Sequence, residues 1–370
     1  MPTLAQRNPA AVPAWTARLY AEAADHLASE VSHRLSHHPR IGEFLNGNSF
    51  RLLQVEHRNH AAFMAEVLRA KDVELLGLTL RWTYHAYHHQ GIPYDYFQAQ
   101  FEIWKEVISE HLPEAAASLA PIYDHMLAIH PETLLAADLY RADAPGVAPE
   151  LQAAFGRILA ALIGGDHLRA LEECHVLLDT GTSFQRLLQT IFFPAMVEVG
   201  TRWEGGRLSV GMEHQTTSTV YLVLSTLYYE QPLPAEPRGR ALVASVSNEF
   251  HELGAWMLAS CLELDGWEVD FLASDCDQDT LLAKAREGSA HIIALSVSLL
   301  SNLQAARETI AALRAGLDDD TRILVGGRAL NSNPSLADSL GADLFLSNCE
   351  SAVIWARDLW HSHVASRRPT

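Results

Sequence analysis

Three short elements in the last third of the chain carry residue types and spacings suited to holding a cofactor. The first is Glu249-x-His251-x-x-Gly254, which follows an apolar, β-branched run over 241–247. The second is Ser296-Val297-Ser298 and the third is Gly326-Gly327, each closing another apolar run. A loop histidine with an acid two residues before it and a glycine three after it, at the mouth of a buried strand, is a place for a cofactor ligand. All three elements fall at the carboxyl ends of expected strands. In an open parallel sheet that edge is where ligands bind, in the crevice beyond the strands.

The elements that must position these residues follow from hydrophobic periodicity. After residue 238, strands over 240–247, 267–273, 291–298, 322–326 and 343–347 alternate with helices over 253–265, 279–288, 301–316, 334–340 and 350–361. Five such βα units imply a doubly wound parallel sheet of flavodoxin or Rossmann type. Glu230-Gln231-Pro232-Leu233-Pro234-Ala235-Glu236-Pro237 precedes them as a stiff linker. Residues 150–231 read as four helices, 150–163, 166–178, 183–204 and 209–229. Phe184, Leu187, Leu188, Ile191, Phe192, Ala195, Met196 and Val199 form a sustained helical stripe, and Pro194 should bend that helix. A second linker is expected over 141–149. Residues 15–140 show no strand alternation and read as an all-α domain of roughly six helices, with boundaries at Gln90-Gly91-Ile92-Pro93, Leu112-Pro113 and His130-Pro131. Residues 1–14 form a proline- and alanine-rich lead.

Composition narrows the function classes. The chain has 370 residues and a formal net charge of −18. A nucleic-acid binder needs a basic face, and no run of five or more Lys/Arg occurs, so neither nucleic acid nor an anionic membrane is an expected partner. Cys174, Cys261, Cys276 and Cys349 are widely spaced, with no CxxC to point to zinc or a disulfide framework. No signal peptide is visible, and no apolar stretch reaches the ~20 residues of a membrane helix. The expected location is the cytoplasm.

The pattern D/E-x-H-x-x-G, then S-x-L/S, then G-G, at the intervals found in this chain, resembles that of the base-off/His-on cobalamin-binding domain. The resemblance covers residues 150–362, because the helical block is similar to that family's four-helix cap. It implies that His251 ligates the lower face of cobalt, with Glu249 accepting from the other ring nitrogen. It also implies that Gly254, Gly326 and Gly327 clear a path for the displaced nucleotide tail, and that Ser296 and Ser298 hydrogen-bond it.

The cap carries Trp203 and, after nine intervening residues, Glu213-His214. This W-x9-E-H element resembles the cobalamin photoreceptors that sense light with adenosylcobalamin. The resemblance implies that Trp203 and Glu213 pack and hydrogen-bond the adenosyl group, and that His214 takes the cobalt after photolysis. Glu rather than Asp at position 249 leans the same way.

The N-terminal helical domain holds twelve of the nineteen histidines and, within residues 1–140, no cysteine. It is loosely similar to globin-like sensor domains. Three readings of it stay open: a packing or dimerisation domain with a solvated histidine-rich surface, a histidine-ligated metal or haem site, and a second chromophore site. Resemblance to the photocobilins, which pair cobalamin with biliverdin, favours the third, with the bilin held noncovalently. The pool of residues for its propionates, pyrroles and walls is Arg58, His60, Arg69, Arg81, Tyr84, His85, Tyr87 and His88.

The expectation is a light sensor rather than a turnover enzyme. Cleavage of the cobalt–carbon bond would change domain packing or the state of a homo-oligomer and signal to a downstream protein. The alternative is a corrinoid methyl carrier of a methyltransferase system, which would use the same lower-face residues.

Overall fold

The structure is a computed structural model that describes residues 12–71, 74–140, 146–318, 320–332 and 334–366. The expected lead up to residue 11 and residues 141–145 of the expected linker lie outside the described residues. Two compact units are present: Met1–Asp143 with Thr201–Ser209, and Ala144–Gly200 with Val210–Thr370.

The first unit is built from α1 (Ala14–Ser36), α2 (Ile41–Leu45), α3 (Phe50–Ala70), α4 (Glu74–His89), α5 (Asp95–His111) and α6 (Pro113–Asp138). Helix α1 buries Tyr20, Leu27, Val31 and Leu35 at helical spacing and packs on α3 and α5. Ser49 caps α3 by accepting from the Arg51 N–H. Pro113 opens α6, where its missing N–H costs nothing. The boundary expected at His130-Pro131 does not occur. Helix α6 runs through Pro121 and Pro131, because Ile122, Met126, His130, Thr133 and Ala137 continue one buried stripe past the lost backbone bond.

The core of this unit includes a polar cluster. The Ser32 hydroxyl lies 2.7 Å from His57 Nδ1, and His57 Nε2 lies 3.1 Å from the Tyr96 hydroxyl. Tyr96 donates to Glu56 Oε2 at 3.0 Å, and Gln100 donates to Glu56 Oε1 at 3.3 Å. Beside them His60 Nε2 is 3.2 Å from the Tyr123 hydroxyl, which meets Tyr20 at 3.2 Å. Burial pushes the Glu56 carboxyl up to about 7, against its hydrogen bonds from Gln100 and Tyr96. Burial also pushes His57 and His60 down to about 3.

The second unit begins with α7 (Gln152–Ile163), α8 (His167–Asp179) and α9 (Phe184–Leu187). A π-helical turn over Leu188–Phe192 then leads into α10 (Phe193–Glu204), and α11 (Val210–Tyr229) follows. The wide turn sits immediately before Pro194, which cannot donate to the preceding turn. The third cap helix is therefore disturbed where Pro194 was expected to bend it.

The sheet contains β1 (Arg240–Ser245), β2 (Glu268–Phe271), β3 (Ile292–Ser296), β4 (Arg322–Gly326) and β5 (Leu344–Phe345), all parallel, in the order β2-β1-β3-β4-β5. Its helices are α12 (Leu253–Leu264), α13 (Gln278–Gly288), α14 (Leu303–Gly316), α15 (Arg328–Ser332), α16 (Ser335–Asp338) and α17 (Cys349–Ser366). Strands are near-continuous apolar runs because both faces are covered. Ala241, Val243, Ile292, Ala294 and Leu324 pack with Ala255, Ala259 and Leu262 of α12 and Ala356 of α17. The alternate residues Leu242, Ala244, Ile293, Leu295, Ile323 and Val325 are buried on the other side. No helix among the described residues is long and apolar enough to cross a membrane.

Candidate cofactor-binding site

Strand order reverses direction between β1 and β3, and this is where an open α/β sheet binds its ligand. Register places Ser245, Ser296 and Gly326 side by side as the last paired residues of β1, β3 and β4. The sequence elements read as one crevice thus share one sheet edge. Strands β1 and β3 end two residues earlier than periodicity indicated, so Ser298 stands on a loop, as His251 was expected to.

The loop after β1 is fixed by one carboxylate. Glu249 is fully buried, while the His251 side chain is 63% exposed. Glu249 Oε1 lies 2.6 Å from His251 Nδ1 and accepts the His251 backbone N–H at 3.1 Å. Glu249 Oε2 accepts the Ser298 N–H at 2.7 Å, the Leu299 N–H at 2.9 Å and Asn302 Nδ2 at 3.1 Å. Burial alone would raise this carboxyl. The imidazole and the backbone donors of His251 and Leu299 outweigh burial and hold it below the usual carboxylate range. An ionised Glu249 can only accept, so Nδ1 of His251 carries the proton and Nε2 is the nitrogen left to ligate a metal.

Asn302 and Asp275 complete the loop. Asn302 Nδ2 also donates to the Asn248 carbonyl at 3.1 Å, and Asp275 Oδ1 accepts the Asn248 N–H at 2.8 Å. Asn248 itself has φ of 62°, a left-handed conformation that Asn tolerates better than most residues. Sequence reading passed over these two residues. The available signal was weak: a polar Asn302 at the start of an amphipathic helical stretch, buried in the structure to 6% exposure.

The three glycines do different things. A Cβ on Gly254 would meet nothing within 4 Å, so that position faces open space at the start of α12, as a cradle for a ligand requires. Gly327 has φ of +112°, and a Cβ there would lie 2.3 Å from the Val297 carbonyl oxygen. A Cβ on Gly326 would lie 3.0 Å from the Leu346 carbonyl oxygen. Gly326 and Gly327 thus let neighbouring backbone approach. Ser298 likewise contributes its backbone N–H to Glu249, while the hydroxyls of Ser296 and Ser298 make no hydrogen bond among the described residues.

In the cap, Glu213 lies in the first turn of α11, where it accepts from the Thr217 hydroxyl at 2.9 Å, with His214 Nε2 3.6 Å from its other oxygen. The His214 side chain is 73% exposed. Helix α11 is held to α12 by Tyr221 donating to Glu252 at 3.2 Å and Tyr228 donating to Glu263 at 2.7 Å. Both tyrosine rings meet Trp256 edge-on. The site loop and the helix bearing Glu213 and His214 thus share anchors within one unit.

Trp203 is sorted differently from the expected 150–231 cap. It is half-buried within Thr201–Ser209, the segment that clusters with the N-terminal unit. Glu204, 2% exposed, accepts from the Trp82 indole at 2.8 Å there.

Much of the pool proposed for a bilin is engaged in packing. His60 is hydrogen-bonded to Tyr123 and packed on Trp104. Tyr84 is fully buried, stacked on Phe97 at 3.9 Å and bonded to His130 at 2.7 Å. Tyr87 is buried in the same core. His88 is stacked on Tyr94 at 3.9 Å, Arg69 pairs with Glu66 at 3.0 Å, Arg58 is exposed and Arg81 half-buried. Of this pool, His85 lines a cavity together with His89, Tyr140, Thr201, Glu204, Gly205 and Arg207. The pool is thus not brought together around one pocket, because helix-facing aromatic and histidine residues were recruited to the core.

Comparison with known proteins is consistent with this geometry. Residues 239–353 match the family model described as B12 binding domain, and residues 154–228 match a second model of the same description. Dimethylamine corrinoid protein 2 of Methanosarcina acetivorans is 26% identical over 167 residues, covering 44% of this chain and 76% of that protein. A corrinoid protein of Desulfitobacterium hafniense is 25% identical over 198 residues, 52% of this chain and 91% of its own length. The structure of the Methanosarcina barkeri monomethylamine corrinoid protein superposes with a TM-score of 0.48 at 16% identity, over 56% of this chain and 99% of that one.

Proposed function

Given that residues 154–228 and 239–353 form B12-binding domains, we propose that the chain holds a corrinoid in the base-off form with His251 as the lower cobalt ligand. The observation that carries this is the exposed His251 imidazole, whose Nδ1 is fixed on the buried, ionised Glu249. Bound there, a corrinoid supplies a cobalt–carbon bond that can pass on a methyl group or be cleaved by light. Glu249 sets the tautomer and the aim of His251 and ties its loop to β3. The open space at Gly254 leaves room for the nucleotide tail beside α12.

For the use made of that bond, the relatives favour a methyl carrier that works with a methyltransferase. The Methanosarcina acetivorans relative is named as a dimethylamine corrinoid protein. On this reading the partner is a protein that reaches the upper face. Partner, oligomeric state and cytoplasmic location belong to the proposal.

A second reading, an adenosylcobalamin light sensor with biliverdin as a further pigment, is favoured by two features of this chain. It carries Trp203, Glu213 and His214 in W-x9-E-H spacing, and its helices α1 to α6 lie outside both B12-binding matches.

One experiment separates them. The full chain is loaded with methylcobalamin or adenosylcobalamin, with and without biliverdin, and its spectrum and hydrodynamic size are followed in the dark and in green light. Methyl transfer in the dark to a thiol acceptor, with no light-driven change in size, supports the carrier. Selectivity for adenosylcobalamin with a light-driven change supports the sensor. Failure to retain any corrinoid defeats both.

A further inference from the structure

Two histidines of the N-terminal unit meet ring to ring: His26 from the middle of α1 and His111, the last residue of α5. His26 Nε2 lies 3.0 Å from His111 Nδ1, with the ring centroids 4.8 Å apart and the planes at 75°. The two positions are 85 residues apart in sequence, so helix packing makes the approach. Leu27 and Ala28 beside the first ring, and Val107 and Ile108 one turn before the second, are buried. Arg34 of α1 also donates to Glu110, the chain neighbour of His111, at 3.1 Å.

Between two neutral imidazoles one nitrogen donates and the other accepts. The accepting ring already carries its proton on its outer nitrogen. Both rings are exposed, and among the described residues neither makes another hydrogen bond. The donating ring can therefore move its proton through solvent to its own outer nitrogen, which is Nδ1 in His26 and Nε2 in His111. Both inner nitrogens then offer lone pairs to one point, with no net loss of a proton.

Distance selects the ion. Imidazole nitrogen sits ~2.0–2.1 Å from a bound Zn²⁺. At such a radius, two nitrogens 3.0 Å apart subtend about 95° at the metal. That is near the angle between neighbouring corners of a square-planar or tetragonal shell and narrower than a tetrahedral pair. Nitrogen ligands in a tetragonal shell suit Cu²⁺, which also binds such sites more strongly than its neighbours in the series.

The surrounding charge favours a cation. Arg34 faces Glu30 at 3.0 Å, Glu110 at 3.1 Å and Glu106 at 3.8 Å, three carboxylates to one guanidinium. Arg34 foremost, and the charge of His111 as well, hold the Glu30 and Glu110 carboxyls below the usual carboxylate range. Positive charge at His111 is thus stabilised, whether a proton or a metal ion brings it, within the limits of solvent screening.

We propose that His26 and His111 form a two-imidazole site for Cu²⁺ that ties α1 to α5. Among the described residues no group of three or more His, Cys, Asp and Glu side chains is placed to hold a metal, so the two rings are the protein ligands and water completes the shell. The site is independent of the corrinoid reading.

The test is a calorimetric Cu²⁺ titration of the full, cobalamin-loaded chain, comparing the native protein with His26→Gln, His111→Gln, His37→Gln and His89→Gln. The last two control for the i, i+4 pairs His33/His37 and His85/His89, whose rings are 4.7 Å and 4.4 Å apart. His26 and His111 are exposed, so their replacement leaves the fold intact, as circular dichroism will report. The tightest Cu²⁺ equivalent should weaken at least ~10-fold in His26→Gln and in His111→Gln, no less than the cost of disturbing a ligand's support, and stay unchanged in the two controls. Absence of a bound equivalent in the native protein, unchanged binding in either His26→Gln or His111→Gln, or weakening in a control overturns the proposal.

Discussion

The Glu249 carboxylate and the Ser298 backbone N–H lie 2.7 Å apart, so the residue that orients His251 also joins the loop after β1 to the loop after β3. One buried group therefore couples the geometry of the candidate cobalt ligand to the integrity of the sheet edge.

Substitution of Glu249 should show both roles. Glu249→Gln keeps the shape but points an amide N–H₂ at donors that need an acceptor. Leaving buried donors unpaired costs roughly 1–3 kcal/mol, read as a lower denaturation midpoint of the corrinoid-free chain. Corrinoid affinity should fall ~10–100-fold, the usual penalty for losing the partner of a ligating histidine. Full affinity in this variant would separate Glu249 from ligand positioning.

Two glycine substitutions separate folding from binding. Gly327→Ala forces a Cβ to 2.3 Å from the Val297 carbonyl oxygen at a positive φ, and should destabilise the α/β domain by roughly 2–4 kcal/mol. Gly254→Ala meets no neighbour, so stability should hold or rise by up to about 1 kcal/mol while corrinoid affinity falls. Thermal melts and a cobalamin titration of both variants check the pair.

The α/β architecture was legible because strands buried on both faces must be continuous apolar runs, and 241–246 and 292–297 are such runs. The positions of His251 and Glu249 followed from lying just past the first of them. The bond from Glu249 to Ser298 could not be read, since nothing local to either residue specifies a partner some fifty residues away. The role of Gly327 depends on how closely β3 passes it. Pro131 misled because a proline's lost backbone bond is a local signal, and the buried stripe from Ile122 to Ala137 outweighs it. Periodicity followed α10 through Glu204 but carried no information that its last turn would meet Trp82.

Stability of the N-terminal unit should peak near pH 6.5–7. Glu56 is raised from 4.5 to about 7, so its contribution is full below 4.5 and is lost as pH rises through 7. His57 and His60 are lowered from 6.5 to about 3, so theirs are full above 6.5 and are lost as pH falls towards 3. Below 6.5 the two histidines outweigh the one acid, and from there to about 7 the acid alone acts. Glu56→Gln should remove the alkaline decline and gain stability at pH 8 relative to the native protein. Chemical denaturation at several pH values, followed by near-UV circular dichroism, measures this; identical pH profiles for the two proteins would contradict it.

Trp203 distinguishes the two uses of the corrinoid. On the sensor reading, Trp203→Ala weakens adenosylcobalamin by about 10-fold, roughly the worth of one aromatic contact, and leaves methylcobalamin unchanged. On the carrier reading, affinity for the two forms changes equally. Parallel titrations with both cobalamins decide between them.

The central claim, ligation by His251, is tested most directly by electron paramagnetic resonance of the full chain carrying cob(II)alamin, prepared from unlabelled and from uniformly ¹⁵N-labelled protein. Ligation by His251 predicts that the nitrogen superhyperfine pattern changes from a triplet to a doublet on labelling the protein, and that His251→Ala abolishes the doublet. A triplet that persists in the labelled protein would mean that the cofactor's own base still occupies the lower face, and would contradict ligation by His251.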